Sequence, residues 1–333
     1  MRIGAHMDRN RKKILAGALA AVCLFGGCSV GGRKVVITGG LGSQDVFKIG
    51  GNTCKLTEAK VYLANCQNIY GKSYGVDLWE QGFQIKKLKR YIKSVTLSKM
   101  TKVACMELLA KERNISLTPE EQKSIKIAAS EYYLSLNEAE QSYTGASESD
   151  IVSMYEDYAL ANKVYQSLTA GVDEEVSDDE ARIMEAMQIY VTSQAEADGA
   201  AAKLAAGEDF AAVASNYNQK PAIEITFGRG DLPSEVEQVA FELDNDEISP
   251  CIAVEDGFYF IKCINKFNEE LTDANKSKIV EAREKAAFDD VYEEFVKGLS
   301  SALNEEVWNE ITLVTDGSIV TDAFFTTVEE AIN

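Results

Sequence analysis

Imidazole-based acid–base or metal chemistry has nothing to draw on beyond position 6, because the one histidine among 333 residues is His6. Thiol chemistry would have to come from Cys23, Cys28, Cys54, Cys66, Cys105, Cys251 and Cys263. The last five are scattered, odd in number and without a CxxC pair, a pattern that neither builds a disulfide framework nor supplies the ligands of a zinc site. They read as small buried apolar side chains. Cys251 and Cys263 flank a predicted hairpin and are the pair that could face each other. No cofactor or metal is expected.

Cys28 is different. Arg9, Arg11, Lys12 and Lys13 form a basic cluster, an apolar run follows from Ile14 to Gly27, and the run ends in Phe25-Gly26-Gly27-Cys28. Fourteen residues are too few to span roughly 30 Å of hydrocarbon as a helix, so the segment reads as a signal peptide. Small residues before a cysteine suit a lipoprotein signal peptidase, which needs a narrow scissile site and a thiol free to accept lipid. The string resembles a bacterial lipobox with Phe25 where Leu is usual. Residues 1–27 are therefore expected to be removed and Cys28 lipidated, with Met1 or Met7 as the start. The remaining chain holds 29 basic and 52 acidic residues, a net charge of −23. Such a chain repels nucleic-acid phosphates, which excludes a nucleic-acid partner; basic unfolded chains would be compatible.

The elements that must position any site follow from periodicity and caps. Hydrophobic content of 46% with 26% charged residues fits a globular chain. Gly31-Gly32 and Gly39-Gly40-Leu41-Gly42-Ser43 mark residues 28–49 as a tether. Residues 50–175 read as helical: Thr57 opens a helix to about Tyr70, and Ile85, Leu88, Ile92, Val95, Val103, Met106 and Leu109 form one long apolar stripe. Thr118-Pro119-Glu120-Glu121 is a capping box with proline at the first helical position. Ser147 or Ser149 opens a further helix through Val164. Ser177-Asp178-Asp179-Glu180 follows an acidic joint, a natural domain boundary.

Residues 176–268 change character. Gln188-Ile189-Tyr190-Val191 is a strand pattern, Ser193 caps an alanine-rich helix that stops at Gly207, and Phe210 to Tyr217 is a short helix. Phe227-Gly228-Arg229-Gly230 supplies a turn in which both glycines can take positive φ. A hairpin closes the segment, with Ile252 and Val254 leading into Glu255-Asp256-Gly257 and Phe258 to Ile264 returning. A long helix begins at Leu271-Thr272-Asp273, and its stripe Ile279, Ala282, Ala286, Val291, Phe295, Leu299 and Leu303 needs an apolar partner. Residues 269–312 are therefore expected to fold back on the N-terminal helices. Residues 313–333 form a tail without an assignable pattern.

The order strand, helix, short helix, glycine turn, helix, hairpin resembles the parvulin (PpiC-type) isomerase domain. The strings Gly207-Glu208-Asp209-Phe210, Phe227-Gly228-Arg229-Gly230, Glu237 to Leu243, Asp246-Glu247-Ile248-Ser249 and Gly257 to Lys262 carry the resemblance through their order. With the lipoprotein signal and helical flanks, the chain resembles the PrsA foldases of Gram-positive bacteria and their SurA-like relatives. That resemblance implies an α+β fold: a helical chaperone-type domain built from both flanks, with an inserted parvulin-like domain of a small antiparallel sheet and surrounding helices. It also places the family's two site histidines at Gln188 and Tyr259. The proline-gripping positions fall at Leu232, Val236 and Phe241, with Phe227 alongside, and the family's acidic or cysteine position falls near Asn218 to Lys220.

Proline isomerisation requires no acid, base or nucleophile. The barrier of roughly 18–20 kcal/mol falls when an apolar pocket twists and desolvates the imide. Gln188 and Tyr259 could still hydrogen-bond each other across adjacent strands. The implied function is a membrane-anchored foldase outside the cell membrane that binds unfolded or partly folded exported polypeptides; the alternative is an active isomerase for X-Pro bonds. A homodimer paired through the flanks is an arrangement the pattern leaves open. A solute-binding lipoprotein would need repeated strand–helix lobes, which the helical first half lacks.

Overall fold

Side-chain caps set many of the helix starts. In the computed structural model, which describes residues 29–30, 33–34, 40–73, 76–79 and 85–332, Thr118 Oγ1 accepts from Glu121 N and the Glu121 carboxylate accepts from Thr118 N, opening Pro119–Ser135. The same reciprocal box at Ser147 and Asp150 opens Glu148–Thr169, and one at Asn137 and Glu140 opens Glu138–Thr144. The first long helix is Leu56–Gly71, preceded by Lys55 without a side-chain cap, so Thr57 lies inside it. The apolar stripe from Ile85 lies on Ile85–Arg113. The lipidation position Cys28 and the leader lie outside the described residues. Among the described residues no helix is long and apolar enough to cross a membrane.

The described residues fall into two units, one made of the stretches up to Gly171 and from Lys285 onward, the other of Val172–Glu284. In the first, the helices pack with a three-stranded antiparallel sheet in the order Ser301–Leu303, Asp45–Ile49, Asn52–Lys55. The expected tether therefore stops short of residue 45: Val46, Phe47 and Ile49 are core residues. A strand is hidden there because its partners, at 52–55 and 301–303, supply the burial that the glycine-rich neighbourhood does not advertise. The tail is likewise structural. Phe324–Ile332 is a helix, and Phe324, Phe325 and Val328 are buried among Tyr62, Tyr132, Tyr155 and Tyr158.

The C-terminal helix runs Glu269–Lys297, two residues earlier than expected, because Asn268 Oδ1 accepts from Leu271 N. Thr272, expected in the helix start, is fully buried and accepts from Ile183 N through its hydroxyl. Leu303 is on a strand rather than on that helix. Phe288 and Val296 carry the deepest burial on the helix's second half, and Phe288 packs on Tyr165 at 5.2 Å between ring centroids.

Within Val172–Glu284 the elements are β1 (Met184–Val191), α1 (Gln194–Ala205), α2 (Phe210–Tyr217), β2 (Glu224–Phe227), α3 (Ser234–Ala240), β3 (Ile252–Val254) and β4 (Gly257–Asn265). They form one antiparallel sheet in the order β2-β1-β4-β3. Strand β1 is central, and its side chains alternate between two apolar layers. Ile189 and Val191 join Phe260 against α1 and α2, whereas Met184, Ala186 and Tyr190 join Tyr259, Ile261 and Cys263 against α3. Together the two units make an α+β protein. Cys251 and Cys263 do not face each other: the hairpin register sets Ile252 opposite Tyr259, which leaves Cys251 exposed and Cys263 buried, both free.

Candidate functional site

The face of the sheet that carries α3 holds every residue singled out in this segment. Gln188 lies opposite Ile261 and Tyr190 opposite Tyr259, so Gln188 and Tyr259 are diagonal neighbours on that face. Val236 and Phe241 belong to the same apolar cluster, and half-buried Leu232 packs against it. Phe227 stands apart. It pairs with Met184, six residues along β1 from Tyr190, a spacing of about 20 Å. The face thus has two aromatic ends, with Phe227 on Phe241 at 5.5 Å and Tyr190 on Tyr259 at 4.8 Å between ring centroids.

Hydrogen bonding fixes each end. Gln188 Nε2 donates to Ala222 O at 2.9 Å, and Gln188 N donates to Ile223 O. Among the described residues no hydrogen bond joins Gln188 to Tyr259, although the pair could have made one across the strands, because the Gln188 amide reaches the neighbouring loop instead. Asn218 completes that loop. Its Oδ1 accepts from Tyr190 N and Lys220 N, and its Nδ2 donates to Lys220 O and Ala222 O. Lys220 Nζ then sits 4.5 Å from the Tyr190 ring centroid. Burial pushes the Tyr190 phenol up, with Asp256 adding to the rise and Lys220 opposing it. Its hydroxyl donates to Asp256 O at 2.8 Å. Gly257 is obligatory here, since a side chain on it would overlap the Val191 carbonyl oxygen and the Tyr190 ring.

At the other end, the Glu237 carboxylate accepts from both Gly230 N and Leu232 N, which sets where Leu232 meets the cluster. Gly230 has φ +91°, whereas Gly228 is not left-handed; the Gly228 amide donates to the Asp231 carboxylate. The guanidiniums of Arg182 and Arg229 each lie 4.7 Å from the Phe241 centroid, and Asp179 pairs with both. Phe241 is accordingly covered by cations. Burial raises the Cys251 and Cys263 thiols, so neither is primed as a thiolate.

Residues 172–274 match the family model of the PPIC-type PPIase domain. The inserted unit is a parvulin-type domain. The chain is similar to the foldase protein PrsA of Caldanaerobacter subterraneus subsp. tengcongensis, 26% identical over 246 residues, covering 68% of this chain and 75% of that one. A second PrsA, from Halalkalibacterium halodurans, is 34% identical over 84 residues, 23% of this chain and 25% of the relative. Among solved structures, the peptidylprolyl isomerase PrsA of Bacillus cereus is 21% identical, with a TM-score of 0.38, over 80% of this chain and 99% of that one.

The resemblance pointed to Asn218 to Lys220 without giving Asn218 a role, and two further positioning groups of the parvulin domain went unmarked, Glu237 and the Arg182–Arg229 pair. Asn218 follows a short helix and precedes Lys-Pro, a context in which an asparagine side chain often bonds nearby backbone. That signal was readable. Glu237 and the arginines act on residues brought near by the fold, and no local pattern marks them.

Proposed function

We propose that this protein is an extracytoplasmic foldase, anchored to the outer face of the cell membrane by lipid on Cys28, that binds unfolded or partly folded exported polypeptides. In this reading the parvulin domain is chiefly a binding surface. The carrying observation is the fate of the two polar positions on the site face: Gln188 is committed to the Ala222 carbonyl and Tyr259 is packed on Tyr190. What remains for a client is the half-buried apolar rim of that face, Leu232, Val239 and Val254, with no imidazole beside it. Similarity to PrsA foldases supports the same reading.

A protease-free prolyl-peptide assay run beside an aggregation assay tests it. The expected result is suppression of client aggregation with isomerisation near the uncatalysed rate. Isomerisation well above background, lost on Leu232→Ala, would establish the second reading, an active isomerase. That reading draws on Leu232, which Glu237 holds at the edge of the apolar cluster. Anchoring has its own check: Cys28→Ala should move the protein from the membrane fraction to the soluble one and abolish incorporation of labelled fatty acid.

A further inference from the structure

Most basic side chains of the parvulin domain are paired with carboxylates, and of the two that are not, one lies beside the aromatic end of the site face. Val172–Glu284 contains 26 acidic and nine basic residues. Seven of the nine bases hold a carboxylate within 4.0 Å: Arg182, Lys203, Arg229, Lys262, Lys266, Lys276 and Arg283. Among the described residues, Lys278, on the long C-terminal helix, and Lys220 have none. Lys220 is exposed, and its ammonium is 4.5 Å from the Tyr190 ring centroid. Its backbone is held at both ends, since Asn218 binds its N–H and its carbonyl.

We propose that Lys220 is a specificity-determining residue that holds an acidic side chain of a client segment docked at the rim of this face, where the lysine lies over the buried Tyr190 ring. The inference rests on reading this face as the client-binding surface. A cation resting on an aromatic ring keeps its charge and remains partly solvated. It is therefore available to a carboxylate that arrives with a client chain. The domain's many acids repel such a chain at long range, but screening damps interactions beyond about 8 Å at physiological salt. At contact distance the nearest unpaired cation decides, and on this face that cation is Lys220.

The test is a coupling measurement that cancels the domain's overall field. C-terminally amidated proline peptides, carrying Glu or Gln in turn at each of three positions on either side of the proline, are titrated onto the full chain by fluorescence anisotropy. At one position the Glu peptide should gain about two- to fivefold over its Gln counterpart in the unsubstituted protein relative to Lys220→Gln. Lys220→Glu should reverse the preference, 0.5 M salt should erase it, and Lys278→Gln should leave it intact. An unchanged Glu-to-Gln ratio in Lys220→Gln at every position overturns the role of Lys220, while binding of the neutral peptides preserves the client-surface reading. If no peptide binds at all, both fall.

Discussion

The two units bury their cores from opposite sequence separations. Every element of the parvulin sheet lies between Val172 and Glu284, and central strand β1 finds both partners within that stretch. The flank-built unit instead closes its core with residues from the far end of the chain. Phe324 packs at 5.2 Å from Tyr62, 5.3 Å from Tyr132 and 4.7 Å from Tyr155, and its N–H donates to Asn65 Oδ1. The same Asn65 donates to the Tyr132 hydroxyl at 2.7 Å. A second contrast is electrostatic. The flank-built unit holds half-buried carboxyl groups, with desolvation raising Glu58 and Asp157 each to about 7, whereas the parvulin site face buries the neutral Gln188. One unit therefore depends on chain-end closure and on pH, and the other on local turns and packing.

Removing the closing aromatic should break that contrast most sharply. Phe324→Ala is expected to cost about 3–5 kcal/mol in the flank-built unit through the cavity it leaves. Differential scanning calorimetry should show that unit's transition move while the parvulin domain's stays. If both shift together, the two units are not independent in stability. The complementary lesion is Gly257→Ala, for which roughly 3 kcal/mol is expected from the overlap with the Val191 carbonyl. Denaturant titration followed by the parvulin tyrosines should report it, with little effect on the other unit.

The electrostatic contrast has a sign. Folding raises the Glu58 and Asp157 pKa values, so the folded unit keeps protons that the unfolded chain releases. Stability of the flank-built unit should be greatest in mild acid and fall as pH rises from the ordinary carboxylate range to about 7. Unfolding midpoints between pH 4.5 and 8 measure this, and Glu58→Gln with Asp157→Asn should flatten the slope. A slope that survives both substitutions would assign it to other groups. The smallest effect is at the cap: Thr118→Ala should cost about 1 kcal/mol, confined to the flank-built unit.

The contrast also explains what could be read in advance. Thr118, Ser147 and Ser193 were legible as caps because the partner of each lies three residues away. The order of elements from β1 to β4 was legible for a similar reason: turns and alternation are local. Strand Asp45–Ile49 and helix Phe324–Ile332 were not, because their burial comes from partners tens to hundreds of residues distant. Phe288, the deepest residue of its helix half, escaped the stripe for the same reason.

In the site, residue types and face were fixed by the alternation of β1 and β4, which puts Gln188 and Tyr259 on one side. Side-chain partners were not. Only the tertiary structure brings Ala222 to Gln188, Glu237 to the Leu232 amide and two guanidiniums to Phe241, since each contact joins segments whose spacing is set by packing. Sequence alone thus determined the locally capped and turn-bounded elements, the charge and the absence of histidine after His6, all properties of neighbouring residues or of composition. Which polar groups stay free to meet a client was decided by the fold, because a hydrogen bond or ion pair spends a donor only when three-dimensional proximity supplies its acceptor.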